Sequence, residues 1–293
     1  MSYQFRSGEE LLAVCDRDQL SIAQVMIKRE VELADVDVLE IEAQMRETLD
    51  VMKKAIETGL TDPKPSIGGL LNGESVALHA FGKEGVSFSG DTLLSCAASA
   101  MAVSEVNASM GKIVAAPTAG SCGILPGGLV QAGTNKGYDD QALTQALFTA
   151  SAIGAIVARN ASVSGAEGGC QAETGTAAAM AAAGLVELAG GSPDQALSAA
   201  AFTLKNILGL VCDPIAGLVE CPCAKRNALG TANAMLSADM ALAGMTTTIP
   251  FDEVVAAMHA VGRVMSPTLK ETALGGIAAS PTGKRLQEQI FGG

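Results

Sequence analysis

Three cysteines stand in settings that suit chemistry: Cys170 in GAEGGCQAETG, Cys212 in GLVCDPIAG and Cys223 in ECPCAKRNA. Each lies where a glycine- or proline-broken loop meets an alanine-rich helical pattern. Gly168-Gly169 precede Cys170 and Pro222 precedes Cys223, so both cysteines open helices whose free N–H groups and positive dipole ends favour negative charge. Cys212 ends a helix, just before Asp213-Pro214. Three thiolates would suit an iron–sulfur cluster in which one iron lacks a protein ligand and acts as a Lewis acid on a hydroxyl or carboxylate. Plain packing competes with this reading, because free cysteine is among the most buried residue types. Cys15, Cys96 and Cys122 are assigned to packing. No compact C-x2-C pair is present, which argues against a zinc ribbon. Cys221-Pro222-Cys223 could also be a thiol pair, and composition does not choose between its two sulfurs.

Other side chains could support such a centre. The loop 117–126, PTAGSCGILP, has small residues that let backbone N–H groups approach a carboxylate, with Thr118 and Ser121 as hydroxyl donors. No Lys-Ser/Thr follows its glycines, so it is not a phosphate-binding loop; a tight turn between helices is the alternative. Ser164 and Glu167 precede Cys170, and Arg226 and Asn227 follow Cys223, which makes all four candidates for substrate binding. Arg226 could clamp a carboxylate or pair with Glu220 or Asp213 to hold its loop. His79 and His259 are the only histidines. His259 falls at a spacing that suits an apolar helix face, as a core histidine, whereas His79 lies in a loop-like stretch and is the acid–base candidate. Ser89 or Asp91 should cap the helix that follows.

The elements that must position these residues are helical. Ile41, Met45, Leu49, Met52 and Ile56 recur at three- and four-residue steps and predict an amphipathic helix ending near Gly59. Long Ala-, Leu- and Ser-rich segments predict helices over 91–110, 139–159, 171–190, 193–209, 224–243 and 251–265. Residues 61–75, broken by Pro and Gly, read as a connector. Residues 74–88 alternate poorly and predict a hairpin or plain loop. The expected fold is all-α: an N-terminal helical layer (1–60) on an Ala/Gly-rich catalytic domain (61–293) with buried central helices, together one structural unit.

Acidic residues outnumber basic ones 31 to 19, a net charge of −12. That charge repels phosphate backbones and anionic lipid surfaces and disfavours nucleic acid as a partner. The longest uncharged run, between Lys112 and Lys136, contains Pro117, Pro126 and several glycines, so it cannot form one regular membrane helix. The first residues lack the basic and apolar regions of a secretory signal. A cytoplasmic location is expected, where the seven cysteines would be reduced and available for metal or catalysis.

The motifs together carry a resemblance. PTAGSCGILPG (117–127), NASVSGAEGGCQAETG (160–175), LAGGSP (188–193), NILGLVCDPIAGLVECPCAKRNA (206–228) and KETALGGIA (270–278) resemble the α subunit of the bacterial iron–sulfur L-serine dehydratases, which use no pyridoxal phosphate. The resemblance implies a [4Fe-4S] cluster on Cys170, Cys212 and Cys223, and it chooses Cys223 over Cys221. It also implies L-serine as substrate, with loss of water giving aminoacrylate and then pyruvate and ammonia. Single-chain members carry a further domain ahead of the catalytic region, so the resemblance implies a β subunit as partner in a hetero-oligomer. Some members end in a cysteine that occupies the open iron at rest; EQIFGG has none, which puts that device in doubt here. A related lyase acting on cysteine or threonine, or a helical protein with a structural metal, are the alternatives.

Overall fold

A computed structural model describes residues 2–292. Helix starts follow the caps available along the chain: the Ser7, Ser21, Asp37, Asp139, Ser192 and Ser280 side chains each accept a first-turn backbone N–H. Gln24 and Gln195 return bonds to the Ser21 and Ser192 backbones, completing capping boxes. The helices are α1 (Gly8–Asp18), α2 (Ile22–Ala34), α3 (Val38–Thr61), α4 (Glu74–Gly82), α5 (Gly90–Ala108), α6 (Ala132–Asn135), α7 (Asp140–Asn160), α8 (Gly165–Gly168), α9 (Cys170–Leu188), α10 (Pro193–Asn206), α11 (Cys223–Leu242), α12 (Phe251–Val264) and α13 (Pro281–Phe291). Among the described residues no strand forms, and one isolated parallel bridge joins Cys212 to Lys270. The fold is all-α.

Helix α9 is the axis of the molecule. It packs against α7, α10 and α11, and Ala177, Ala178, Ala179, Ala181, Ala182 and Ala183 are all fully buried. Methyl side chains on every face let three neighbours approach closely, which a Leu- or Phe-rich helix could not allow at the same interaxial distance. One hydrophobic cluster runs from Phe5 through the central helices to Met258. Helix α7 alone among the described helices has the length and apolarity of a membrane span, and 67 % of that window is buried within the fold.

Three local expectations are corrected. Residues 74–82 form helix α4, not a hairpin or loop, and its cap comes from elsewhere: the Glu105 carboxylate on α5 accepts from the Ser75 backbone N–H (3.0 Å) and hydroxyl (2.8 Å). Helix α10 stops at Asn206, short of residue 209. His259 is exposed on α12 rather than packed in the core. At the start of α5, Ser89 occupies the cap position without a side-chain bond. The loop 117–126 contains a 3-10 turn over Ala119–Ser121 and leads into a π-helical turn over Pro126–Gln131.

Candidate active site

The N-termini of α9 and α11 meet at one end of the bundle. Gly169 holds φ 77° just before Cys170, a left-handed conformation that costs a non-glycine residue, and so turns the chain sharply into α9. Gln171, 1 % exposed, fixes that turn. Its backbone N–H donates to Leu210 O (2.9 Å), its Nε2 donates to Gly168 O (2.9 Å) and Met258 O (3.0 Å), and its Oε1 accepts from Gly209 N–H (2.9 Å). One amide therefore ties the Cys170 turn to α12 and to the loop carrying Cys212.

Cys212 is gripped by the segment 265–280, which crosses it as a strap. Its N–H donates to Leu269 O (2.8 Å) and its carbonyl accepts from Glu271 N–H (2.7 Å). Asp213, next in the chain, accepts from Arg226 Nη2 at Oδ1 (2.8 Å) and from Ile277 N–H at Oδ2 (2.8 Å). Cys223 is the first residue of α11. All three thiols are buried, whereas Cys221 is partly exposed.

The charges converge. The Cys170 thiol lies 3.1 Å from the Thr174 hydroxyl, and the proximity of Cys212 does most to hold it below the ordinary range against the opposing effect of burial, with Thr174 and Arg226 adding to the fall. The same pairing, then burial, pushes Cys212 up. Burial pushes Cys223 up, with Cys170, Glu173, Arg226 and Glu271 as its charged neighbours. Burial also raises Cys221, whose first charged neighbours are Lys225 and Glu74 on the outer side. Cys170, Cys212 and Cys223 are thus the soft donors that could hold a metal centre together.

Glu173 completes the group and was not among the residues singled out in the sequence. It stands one helical turn after Cys170, so the i, i+3 relation on a helix start was the available signal. Burial pushes its carboxyl up to about 7; the charges of Cys170 and Glu271 add to the rise, while the Thr118 hydrogen bond and Arg226 oppose it. Two glycines make room. A Cβ at Gly120 would stand 2.5 Å from Glu173 Oε1, and one at Gly165 would stand 2.8 Å from Cys212 Sγ.

The other candidates divide. Thr118 donates to Glu173 and lies 3.1 Å from the Ser121 hydroxyl, so both belong to the group. Asn227, fully buried, accepts from Gly123 N–H (2.9 Å) and donates to Gly120 O (2.8 Å) and Cys223 O (2.9 Å), which locks the loop 117–126 to α11. Arg226 reaches Cys170 but also donates to Val211 O (2.8 Å) and to Asp213, so it holds the Cys212 loop. Ser164 caps α8 without a side-chain bond. Glu167 is exposed, is bonded by Ser162, and lines a cleft of about 320 Å3 with His259, Arg263 and Lys270. His79 lies on α4, half-buried; burial and then the charge of Lys83 lower its pKa, and neither thiols nor Glu173 bear on it. Two spacious clefts lie away from the thiols, one between α2, α3 and α7 (about 620 Å3) and one beside α5, α9 and α11 (about 640 Å3).

The chain is similar in sequence to known proteins. The model of the family described as serine dehydratase alpha chain matches residues 17–278, which covers every residue of the thiol group and the strap through Ile277. The chain is 50 % identical over 289 residues to a probable L-serine dehydratase alpha chain of Bacillus subtilis (strain 168), spanning 99 % of this chain and 96 % of that one. It is 44 % identical over 285 residues to the L-serine dehydratase alpha chain of Peptoniphilus asaccharolyticus, spanning 97 % and 98 %. An L-serine dehydratase of Escherichia coli (strain K12) is 38 % identical over 283 residues, covering 94 % of this chain but 62 % of that longer one. With a match this complete, the chain belongs to the serine dehydratase alpha chain family.

Proposed function

We propose that the chain is the catalytic α chain of an L-serine dehydratase and turns L-serine into pyruvate and ammonia, with a [4Fe-4S] cluster held by Cys170, Cys212 and Cys223. The observation that carries the reading is the convergence of these three thiols on Glu173 in a chain that shares nearly its whole length with alpha chains named for this reaction. The donor set fits the cluster. The sulfurs are soft, buried and flanked by two helix N-termini and a guanidinium that favour negative charge. Among the described residues no three His, Cys, Asp or Glu groups gather tightly enough to hold a single metal ion; a cluster of several irons would be held by a wider set of donors. Bound there, the cluster supplies one iron without a protein thiolate, a Lewis acid suited to a substrate hydroxyl and carboxylate.

The chain's own residues supply positioning and proton handling. Glu173, poised near neutrality, can take a proton at Oε2 while Oε1 keeps the Thr118 hydroxyl, so it is the reading's general base for the α-proton of serine. Loss of that proton and of the β-hydroxyl as water leaves aminoacrylate, which tautomerises and hydrolyses to pyruvate and ammonia. Asn227 and Gln171 hold the two loops that face each other across the thiols, and burial of both keeps bulk water from the group. His79 lacks any tie to this group, which favours Glu173 over His79 as the base. The alpha-chain names of the relatives and the greater length of the Escherichia coli relative support a β chain as partner. A cytoplasmic setting suits the seven free cysteines.

The test is anaerobic co-purification of the α and β chains, followed by iron, sulfide and pyruvate assays. About four irons per α chain and pyruvate from L-serine are expected. Cys170→Ser, Cys212→Ser and Cys223→Ser should each lose both, whereas Cys221→Ser should keep most of both. A dispensable Cys223 beside an essential Cys221 overturns the ligand assignment.

A further inference from the structure

An amino acid brings an ammonium group, and the site must answer it with an anion. The carboxylates around the thiols are nearly all engaged. Asp213 has one oxygen on Arg226 and the other on Ile277 N–H. Both oxygens of Glu220 are bonded, Oε2 by the Ser66 hydroxyl (2.5 Å) and Leu70 N–H (3.1 Å) and Oε1 by Gly68 N–H (2.6 Å). Glu167 is bonded by Ser162, and Glu173 by Thr118. Glu271 differs. Among the described residues no hydrogen bond or ion pair engages its carboxylate, although its negative charge reaches Glu173, Cys212 and Cys223.

The backbone holds Glu271 there at a cost. Its φ is 62° and that of Ala273 is 56°, two left-handed non-glycine residues within three positions. Such residues cost energy and persist only where the surroundings over-determine them, and they gather at functional sites. The surroundings here are the Cys212 carbonyl, which accepts from Glu271 N–H, and Asp213, which accepts from Ile277 N–H. The strap therefore pins to the loop of one thiol the backbone of a residue whose half-buried carboxylate is unpaired among the described residues.

We propose that the Glu271 carboxylate takes the α-ammonium of the substrate, so that the strap selects amino acids over hydroxy acids. The inference rests on the serine dehydratase reading and adds to it a division of labour between two glutamates. Glu173 handles the proton, and Glu271 places the α-carbon beside it by holding the neighbouring nitrogen. Charge-assisted hydrogen bonds of this kind are about twice as strong as neutral ones.

The experiment uses the anaerobic α–β holoenzyme with Glu271→Gln and Glu271→Asp. L-serine is the substrate, and L-glycerate, which keeps the carboxylate and β-hydroxyl but has no ammonium, is the competitive inhibitor. Glu271→Gln should raise KM for L-serine roughly ten- to hundred-fold with kcat within about three-fold. It should leave the inhibition constant of L-glycerate within about two-fold and the iron content unchanged, and Glu271→Asp should recover part of the loss. Equal weakening of both ligands, an unchanged KM for L-serine, or loss of iron from the Gln variant would each overturn the proposal. Failure of the wild-type pair to form pyruvate at all would instead remove the functional reading beneath it.

Discussion

Asn227 uses its whole amide on the scaffold, and this makes it the side chain on which the two halves of the site depend. It joins Gly120 and Gly123 in one loop to the Cys223 turn of α11. Asn227→Ala strands the Gly123 N–H and the Gly120 carbonyl, a loss on the order of 3 kcal/mol, seen as a lower urea midpoint and weaker iron retention. Asn227→Asp should be at least as harmful, because it cannot donate to Gly120 O or Cys223 O. Glu173 tests the electrostatics instead. Its folded-state pKa, raised to about 7 by burial first, lies above the ordinary 4.5. A raised carboxyl binds its proton more tightly when folded, so stability from this group is full below about 4.5 and is lost as pH rises through about 7. The full loss is on the order of 3 kcal/mol. In the metal-free chain, Glu173→Gln should therefore gain on wild type in urea unfolding between about pH 5 and pH 8. A flat difference across that range contradicts the buried placement.

The elements differ in how far they could be read in advance. Helices α7, α9, α10, α11 and α12 lie within a few residues of their expected spans, because Asp139, Ser192 and Pro250 mark starts locally and small residues propagate the helix. Helix α4 was not legible because its N-terminal cap comes from Glu105, thirty positions along the chain on α5. His259 shares its helix with buried Val255 and Met258, and spacing alone put it on their face, but the α12 surface turns outward there. In the site, Cys170 and Cys223 were legible from loop-to-helix junctions, whereas Cys212, expected at a helix end, lies in extended chain beyond α10, which stops at Asn206. Gln171 and Glu271 were not legible, because Gln171 works across to the loop near residue 210 and to α12, and Glu271 joins that loop to the strap, contacts that no local pattern encodes. Close approach between elements gives its own prediction. Gly165→Ala would set a methyl group 2.8 Å from Cys212 Sγ, so a loop must move. Far-UV circular dichroism should match wild type while iron per chain falls; full iron content would mean that the loop yields freely.

At the scale of the whole molecule, the N-terminal helices are fastened to the catalytic core by carboxylates at helix starts. Asp252, in the first turn of α12, accepts from Gly8 N–H (2.7 Å) and Glu9 N–H (3.0 Å) at the start of α1. Glu187, near the end of α9, accepts from Ile22 N–H (2.9 Å) and Ala23 N–H (3.1 Å) at the start of α2. Each satisfies two orphan donors and places negative charge at a positive helix end, contributing about 1–2 kcal/mol. Both caps lie on the helical scaffold, with no bond to the thiols, Glu173 or the strap. Asp252→Ala and Glu187→Ala should each lower Tm by roughly 2–8 °C in a chain of this size, while KM and kcat for L-serine stay at the wild-type values. High salt should narrow the gap to wild type, since the charge–dipole part is screened while the hydrogen bonds are not. A variant that kept its Tm but lost kcat would instead make the N-terminal helices part of the catalytic apparatus, with the change carried to Cys170 and Glu173 along α9 from Glu187 or, from Asp252, through α12 and its bond to Gln171.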